Sequence, residues 1–492
     1  MRPRRLACAL LAALVAMAPP VSAQLPTLGG GGDLSVSAER KLGMQVAKEL
    51  YRDPDYIEDP VLDEYVLGIW KRLLAAARTR GDLGSDIDER FAWDVLLGKD
   101  RTINAFALPG GWLGLNLGLI SATTSADELA AVLGHELTHV TQRHISRMMA
   151  QEKKNMPILL GAMILGALAA GRNADAAQAA MVGGQALFMQ NQLNYTRDME
   201  READRIGLQV ATQAGFEPQG MASMFEKLQA ATRLSDNGSY PYLRSHPMTT
   251  ERIAEVHQRM QLAAPGAART PDMLHLMMAG RAKVLSEPGV DMLRSFTTAD
   301  ATRADPASRA REAGALYAAA LAQSKLRDAR AAQALLPRLA QLAAGNEETA
   351  RQARLLAAEI ALAAGDAQPA LALADPARPE LVLSSQARMR SGQAGAAAER
   401  LQTFVSLNPR DAYMWQLLAQ AHAAQGQTLR AVRAEAEVQA ARLDWQAALD
   451  RLRAAQELLR RGTSARDHIE ASIIDARARE MQSLLREQAL ER

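Results

Sequence analysis

The chain has 492 residues, a formal net charge of +2 and a single cysteine. That length allows two or three domains, and the near balance of charge gives no ground for a nucleic-acid partner or a strongly acidic substrate. Aromatic residues make up only 4% of the chain, and its second half is alanine-rich, which favours packed helices over an all-β architecture.

The chain opens as a secretory signal. Arg2, Arg4 and Arg5 are followed by an apolar run from Leu6 to Ala18 and by Val21-Ser22-Ala23, a small-residue cleavage site. The run is too short to span a bilayer comfortably. Cleavage after Ala23 would place the mature chain in the periplasm. It would also remove Cys8, leaving no disulfide and no thiol chemistry. A glycine-rich stretch, residues 24–37, then reads as a flexible N-terminus.

Helices are expected from Ser37 to Arg52 and from Pro60 to Arg78, the second capped by Asp59 with proline at its first position. Phe91 to Leu97 and Ile103 to Leu108 read as strands. Pro109-Gly110-Gly111 punctuates the second, and apolar sequence continues from Trp112 to Leu119. A helix is expected from Ser125 to about Gln151, opened by a capping box of Ser125 and Glu128. The apolar segment Ile158 to Ala170 is too short for a routine span. It reads as a lid or hairpin covering the cleft, with a plain core helix as the alternative and contact with a membrane surface as a further reading. The alanine-rich stretch Ala174 to Gln190 follows, then a helix from Asp198 to Ala214, stopped by Gly215 and Pro218.

His135-Glu136-Leu137-Thr138-His139 carries the chemistry. Two histidines four residues apart on a helix project from one face and can share one cation, with Glu136 beside the metal-bound water. The apolar run Ala130 to Leu133 predicts a buried helix. Glu200, in Arg197-Asp198-Met199-Glu200-Arg201-Glu202-Ala203-Asp204, is the best third ligand. Asp204, one turn on, would hydrogen-bond a ligand imidazole. On a continuing helix His144 would point about 140° away from His139, which gives it a structural or surface role. His246 lies in the loop Ser245-His246-Pro247. His257, His275, His422 and His468 show no partner pattern.

Past Pro265-Gly266, read as a linker over 263–272, alanine, leucine, arginine and glutamine recur in helix-sized blocks. Gly392 aligns with Gly426, Ala397 with Ala431 and Phe404 with Val438 at one constant offset, the tetratricopeptide length. Stacked helix pairs of this kind suit the holding of another polypeptide.

Asn104-Ala105-Phe106-Ala107, the His135–His139 motif, and Glu200 with Asp204 occur in an order that resembles the gluzincin metallopeptidases containing HtpX and the CAAX prenyl proteases. His144, Arg197, Glu202, Gly207 and the Ser245-His246-Pro247 loop match its soluble branch. The signal segment in front and the repeats behind narrow the resemblance to periplasmic β-barrel assembly-enhancing proteases. It implies one zinc ion held by His135, His139 and Glu200, with Glu136 as general base and Arg197 and Asp204 in support. It implies an oxyanion-steadying His246 that could also approach the metal when substrate is absent. It further implies that the Asn104–Ala107 strand pairs with extended substrate. The implied fold is an α+β zincin-like domain (38–262), mostly helical with a small sheet, followed by all-α tetratricopeptide-type repeats (273–492). The implied partners are unfolded or misassembled outer-membrane proteins, which the enzyme would degrade or help to assemble, and the β-barrel assembly machinery, reached through the repeats. A chaperone or assembly scaffold with secondary proteolysis is the first rival, and a zinc amidase acting on peptidoglycan the second. Trp112-Leu113-Gly114-Leu115 departs from the family pattern, which gives the rim of the cleft its own preference.

Overall fold

The computed structural model describes residues 34–152, 196–233, 242–262, 272–287, 289–297, 309–373, 377–461 and 468–490. The signal segment, Ile158–Ala170, Ala174–Gln190 and Pro265-Gly266 lie outside them. Contacts gather residues 36–145 and 189–492 into one compact unit. Of the other unit, residues 1–35 with 146–188, only 34–35 and 146–152 are described.

Local sequence signals set most helix starts. Asp59 accepts a hydrogen bond from the Leu62 amide at 2.9 Å and opens the helix Pro60–Arg80, which ends at Gly81 with φ +78°. Leu62, Val66, Ile69, Trp70, Leu73 and Ala77 recur at helical spacing and are all buried. This stripe belongs to a core shared with Leu113, Leu115, Leu129, Leu133 and Leu137. The same core continues through Met277, Met278 and Tyr317 into the repeat helices, across the expected domain boundary.

Among the described residues the sheet has four strands in the order β1-β2-β4-β3: β1 Tyr56–Ile57, β2 Asp94–Gly98, β3 Ala105–Leu108 and β4 Trp112–Asn116. β2 and β4 run parallel, while β3 lies antiparallel to β4 at the edge of the sheet. The chain reverses between β3 and β4 through Gly110 and Gly111, at φ +74° and +84°. The apolar stretch after β4 does not continue as strand. It turns into the helix Leu117–Ala122, where Gly118 packs so closely on the Arg101 carbonyl that a Cβ there would lie 2.0 Å away.

The long helix expected from Ser125 is interrupted. Ser125 does accept from the Glu128 amide at 3.2 Å, but the Glu128 carboxylate answers to the Thr124 amide at 2.7 Å. The helix Ala126–Thr141 then ends, because Arg143 adopts a left-handed φ of +53° while pairing at 2.8 Å with buried Glu39. Helical structure resumes at residue 144.

In the repeat region, Arg378–Arg390 pairs with Ala394–Leu407 and Ala412–Ala424 with Thr428–Ala441. Gly392 and Gly426 occupy the same turn in each pair with φ of +74° and +70°. The first of these helices, with Met273–Leu285 and Glu347–Ala363, presents arginines to the acidic start of Pro60–Arg80. Asp59 is gripped by both forks of Arg281 at 2.7 Å, Asp63 by Arg378 at 2.7 Å, and Glu64 by Arg351. Each arginine also reaches an acid of the repeats: Glu359 at 2.8 Å, Asp411 at 2.7 Å and Glu380 at 2.5 Å. Farther along, Arg442 meets Glu58 at 2.8 Å. Thus a face of the repeats that could have held another polypeptide is occupied by the chain's own Glu58–Glu64 segment.

Candidate metal centre

Nearly every residue of the helix Ala126–Thr141 is buried, with His139 half-buried at its open side. The helix at residues 196–213 crosses it where two glycines meet. A Cβ on Gly207 would come within 2.9 Å of the His135 amide nitrogen, and one on Gly134 within 3.0 Å of the Gly207 carbonyl. Only bare backbone permits this approach, and it brings Glu200 and Asp204 up to the two histidines.

His135, His139, Glu200 and His246 each offer a ligand atom, all within 4.8 Å of one another. His139 Nε2 lies 3.0 Å from His135 Nε2, and His246 Nδ1 lies 3.3 Å from it. Glu200 oxygens stand 3.4 Å and 3.5 Å from the Nε2 atoms of His135 and His139, and 2.9 Å from His246 Nδ1. A cation bound at about 2.0–2.1 Å by four tetrahedral donors separates them by ~3.4 Å, so the set fits such an ion.

The surrounding groups orient these donors. Asp204 Oδ1 stands 3.0 Å from His135 Nδ1, close but not aligned as a full hydrogen bond. Burial disfavours charge on His135, yet Asp204 and Glu200 outweigh it and lift its pKa to about 10. Burial, and then charged His135 beside it, push His139 well below the ordinary histidine range. Burial likewise opposes charge on Glu200, but His135 and His246 hold its carboxyl far below the usual carboxylate range. The two buried carboxylates beside these imidazoles mark a place where a dication would balance the charge.

Glu136 is completely buried. Its Oε2 accepts from the Ala107 amide of β3 at 2.9 Å, while Oε1 has no hydrogen bond among the described residues and faces His246 Nε2 at 3.4 Å. Ala105 to Ala107 therefore lie on the edge strand that touches this carboxylate, and Asn104 directly precedes it. Asn104 accepts from the Asn116 amide at 3.0 Å, and Ala105 is buried in the core. Beyond β3 no further strand pairs with it among the described residues.

Two residues stand differently from the sequence expectation. Arg197 is exposed, on the solvent side of its helix. The guanidinium that reaches the carboxylates is that of buried Arg252, at 2.7 Å from both Asp204 oxygens and 2.9 Å from Glu200 Oε2. His144 is buried, and its Nδ1 meets His139 Nδ1 at 2.9 Å while Nε2 meets Glu202 at 3.0 Å. The 140° offset assumed an unbroken helix, and the left-handed turn at Arg143 swings His144 back. Two carboxylates sharing one buried helix face require a cation, and that requirement was the available signal for Arg252.

Residues 82–260 match Peptidase family M48. The beta-barrel assembly-enhancing protease of Escherichia coli K12 is 30% identical over 439 residues, covering 85% of each chain. The chain belongs to the beta-barrel assembly-enhancing protease family. A Vibrio cholerae relative is 30% identical over 490 residues, 96% of each chain. A mitochondrial metalloendopeptidase of Arabidopsis thaliana is 29% identical over 227 residues, 46% of this chain and 42% of that one. As a member of the assembly-enhancing family, the chain is a metalloendopeptidase of periplasmic type, and the buried cluster is suited to its metal ion. No helix among the described residues is long and apolar enough to cross a membrane.

Proposed function

We propose that the protein is a periplasmic zinc endopeptidase that removes misassembled outer-membrane β-barrel proteins. The observation that carries this reading is the convergence of His135, His139, Glu200 and His246 on one point beside Glu136 and the edge strand β3. Two neutral imidazoles and a carboxylate are a donor set suited to zinc. Zinc bound there supplies Lewis acidity and a water acidic enough to react near neutral pH.

The chain's own residues supply the rest. An extended segment of an unfolded client pairs along the edge of β3 that carries no strand among the described residues, which recognises backbone and so tolerates many sequences. Glu136 takes up the proton of the attacking water at its unpartnered Oε1 and returns it to the leaving amine. Asp204 sets the orientation of His135. His246 stands among the ligand atoms, held by ring stacking on Tyr242 at 4.6 Å. In this position it closes the corner that water needs, so a client must displace it. Once displaced, the imidazole is placed to steady the oxyanion.

The repeats are tetratricopeptide-like and recruit clients or the assembly machinery through faces left free by the arginine row. The test compares the mature chain, cleaved after Ala23, with Glu136→Gln on an unfolded outer-membrane β-barrel protein. Cleavage by the parent alone supports the reading. Full rescue of outer-membrane assembly in cells by Glu136→Gln would instead favour the scaffold.

A further inference from the structure

The guanidinium of Arg252 makes a pattern of contacts that the peptidase reading does not use. Its Nε and Nη2 clamp Asp204 with two 2.7 Å bonds. Its third nitrogen, Nη1, spans two partners at once: Glu200 Oε2 and the carbonyl oxygen of Pro247, each at 2.9 Å. Pro247 directly follows His246. The Phe225 ring lies 5.4 Å from the guanidinium carbon, and the Arg252 amide donates to Thr249 Oγ1 at 3.2 Å. The side chain is 3% exposed, so water does not compete for these bonds.

We propose that Arg252 is a positioning residue that couples the metal-ligand carboxylate of Glu200 to the loop carrying His246. This inference deepens the latch reading of His246 above. Nη1 donates a hydrogen bond to the loop carbonyl of Pro247 and stands at ion-pair distance from the Glu200 carboxylate. When the loop moves away, Nη1 loses its acceptor at Pro247 and can turn an N–H onto the Glu200 carboxylate 2.9 Å away, forming a charge-assisted hydrogen bond there. Release of His246 and re-setting of Glu200 are then one event. Among the described residues, Arg252 supplies the guanidinium touching Asp204 and Glu200, which with Glu136 place three carboxylates around the site. A divalent cation added to that guanidinium balances them. A lysine keeps the charge but cannot reproduce the planar fork that holds Asp204 and Glu200 together.

The test uses the full mature chain, as Arg252→Met and Arg252→Lys, each shown to be folded by circular dichroism. Zinc affinity is measured by competition with a chelator, with no turnover involved. Loss of an orienting partner predicts roughly 10–100-fold weaker binding for Arg252→Met, and partial recovery with Arg252→Lys. The visible spectrum of the cobalt-substituted protein then reports the ligand set. His246→Ala changes the parent spectrum, and coupling predicts that Arg252→Lys already resembles His246→Ala. Zinc affinity within threefold of the parent in a folded Arg252 variant overturns the inference and leaves the peptidase reading intact. A parent that binds no zinc overturns the peptidase reading itself. If His246→Ala leaves the cobalt spectrum unchanged, the latch and its coupling to Arg252 both fall.

Discussion

Gly134 and Gly207 face each other where the His135–His139 helix crosses the helix of Glu200, so close that a methyl group on Gly207 would stand 2.9 Å from the His135 amide nitrogen. The spacing of the donor atoms follows from this backbone contact. Gly207→Ala is therefore expected to force the helices apart, costing about 1–3 kcal/mol of stability. It should also weaken zinc binding at least about tenfold, since ligand orientation is set by the packing around it. Urea unfolding and chelator competition measure the two effects. A variant destabilised as expected but with parental zinc affinity would show that the crossing does not set the site.

The edge strand makes a separate prediction. The Ala107 amide donates to Glu136 Oε2, and proline at that position removes the donor. Ala107→Pro should lower kcat/KM on an unfolded protein by about tenfold or more, while zinc content stays at the parental level. Loss of zinc as well would mean that the substitution had disrupted the site more widely.

His246→Ala should raise the cleavage rate of unfolded protein if the histidine closes the metal corner at rest. Because the same imidazole is available to the oxyanion, the gain should appear at low substrate and shrink at saturation. Stopped-flow cleavage of a fluorescent unfolded substrate separates the two regimes. A uniform loss at all concentrations would leave His246 with the catalytic role only.

The arginine row ties the repeats to the peptidase core. Arg281 is buried in its grip on Asp59, so Asp59→Ala leaves a buried cation short of a partner. The expected cost is about 3–5 kcal/mol, and the double variant with Arg281→Met should recover part of it. Burial opposes charge on Asp59, but Arg281 prevails and holds its carboxyl below the ordinary value. The unfolded chain therefore takes up this proton first on acidification. The pair's stabilisation is complete above about pH 4 and is lost as pH falls through the lower folded value. Urea midpoints from pH 7 to pH 3 should fall more steeply for the parent than for Asp59→Ala.

His275 behaves in the opposite chemical sense. Its Nδ1 shares a 2.7 Å hydrogen bond with the Tyr65 hydroxyl, and burial lowers its pKa. Folding then favours the neutral ring. Stability is complete above about pH 6.5 and declines as the solution becomes more acidic than that. His275→Gln should flatten the stability profile between pH 7 and pH 5, measured by thermal unfolding.

Local signals in the sequence carried much of this fold. Asp59-Pro60 and Ser125 start their helices because a side-chain oxygen caps nearby amides, and Gly392 and Gly426 mark turns that need a left-handed residue. The break at Arg143 was not legible, since no glycine or proline marks it. A tertiary pair with Glu39 accompanies that conformation, and it carries His144 into the site. For Arg252 the sequence signalled only that Glu200 and Asp204 need a cation, not which residue supplies it. Arg252 sits in an ordinary charged helix start, and its importance arises only when Asp204 and Glu200 fold against it. The repeat period was visible, but the face filled by Glu58–Glu64 depends on arginines hundreds of residues away.

The most direct test pairs zinc content with cleavage of an unfolded protein, for the mature chain and for Glu136→Gln. The account predicts close to one zinc per chain in both and cleavage by the parent alone. A folded parent that binds no zinc, or a Glu136→Gln protein that cleaves as fast as the parent, would contradict it.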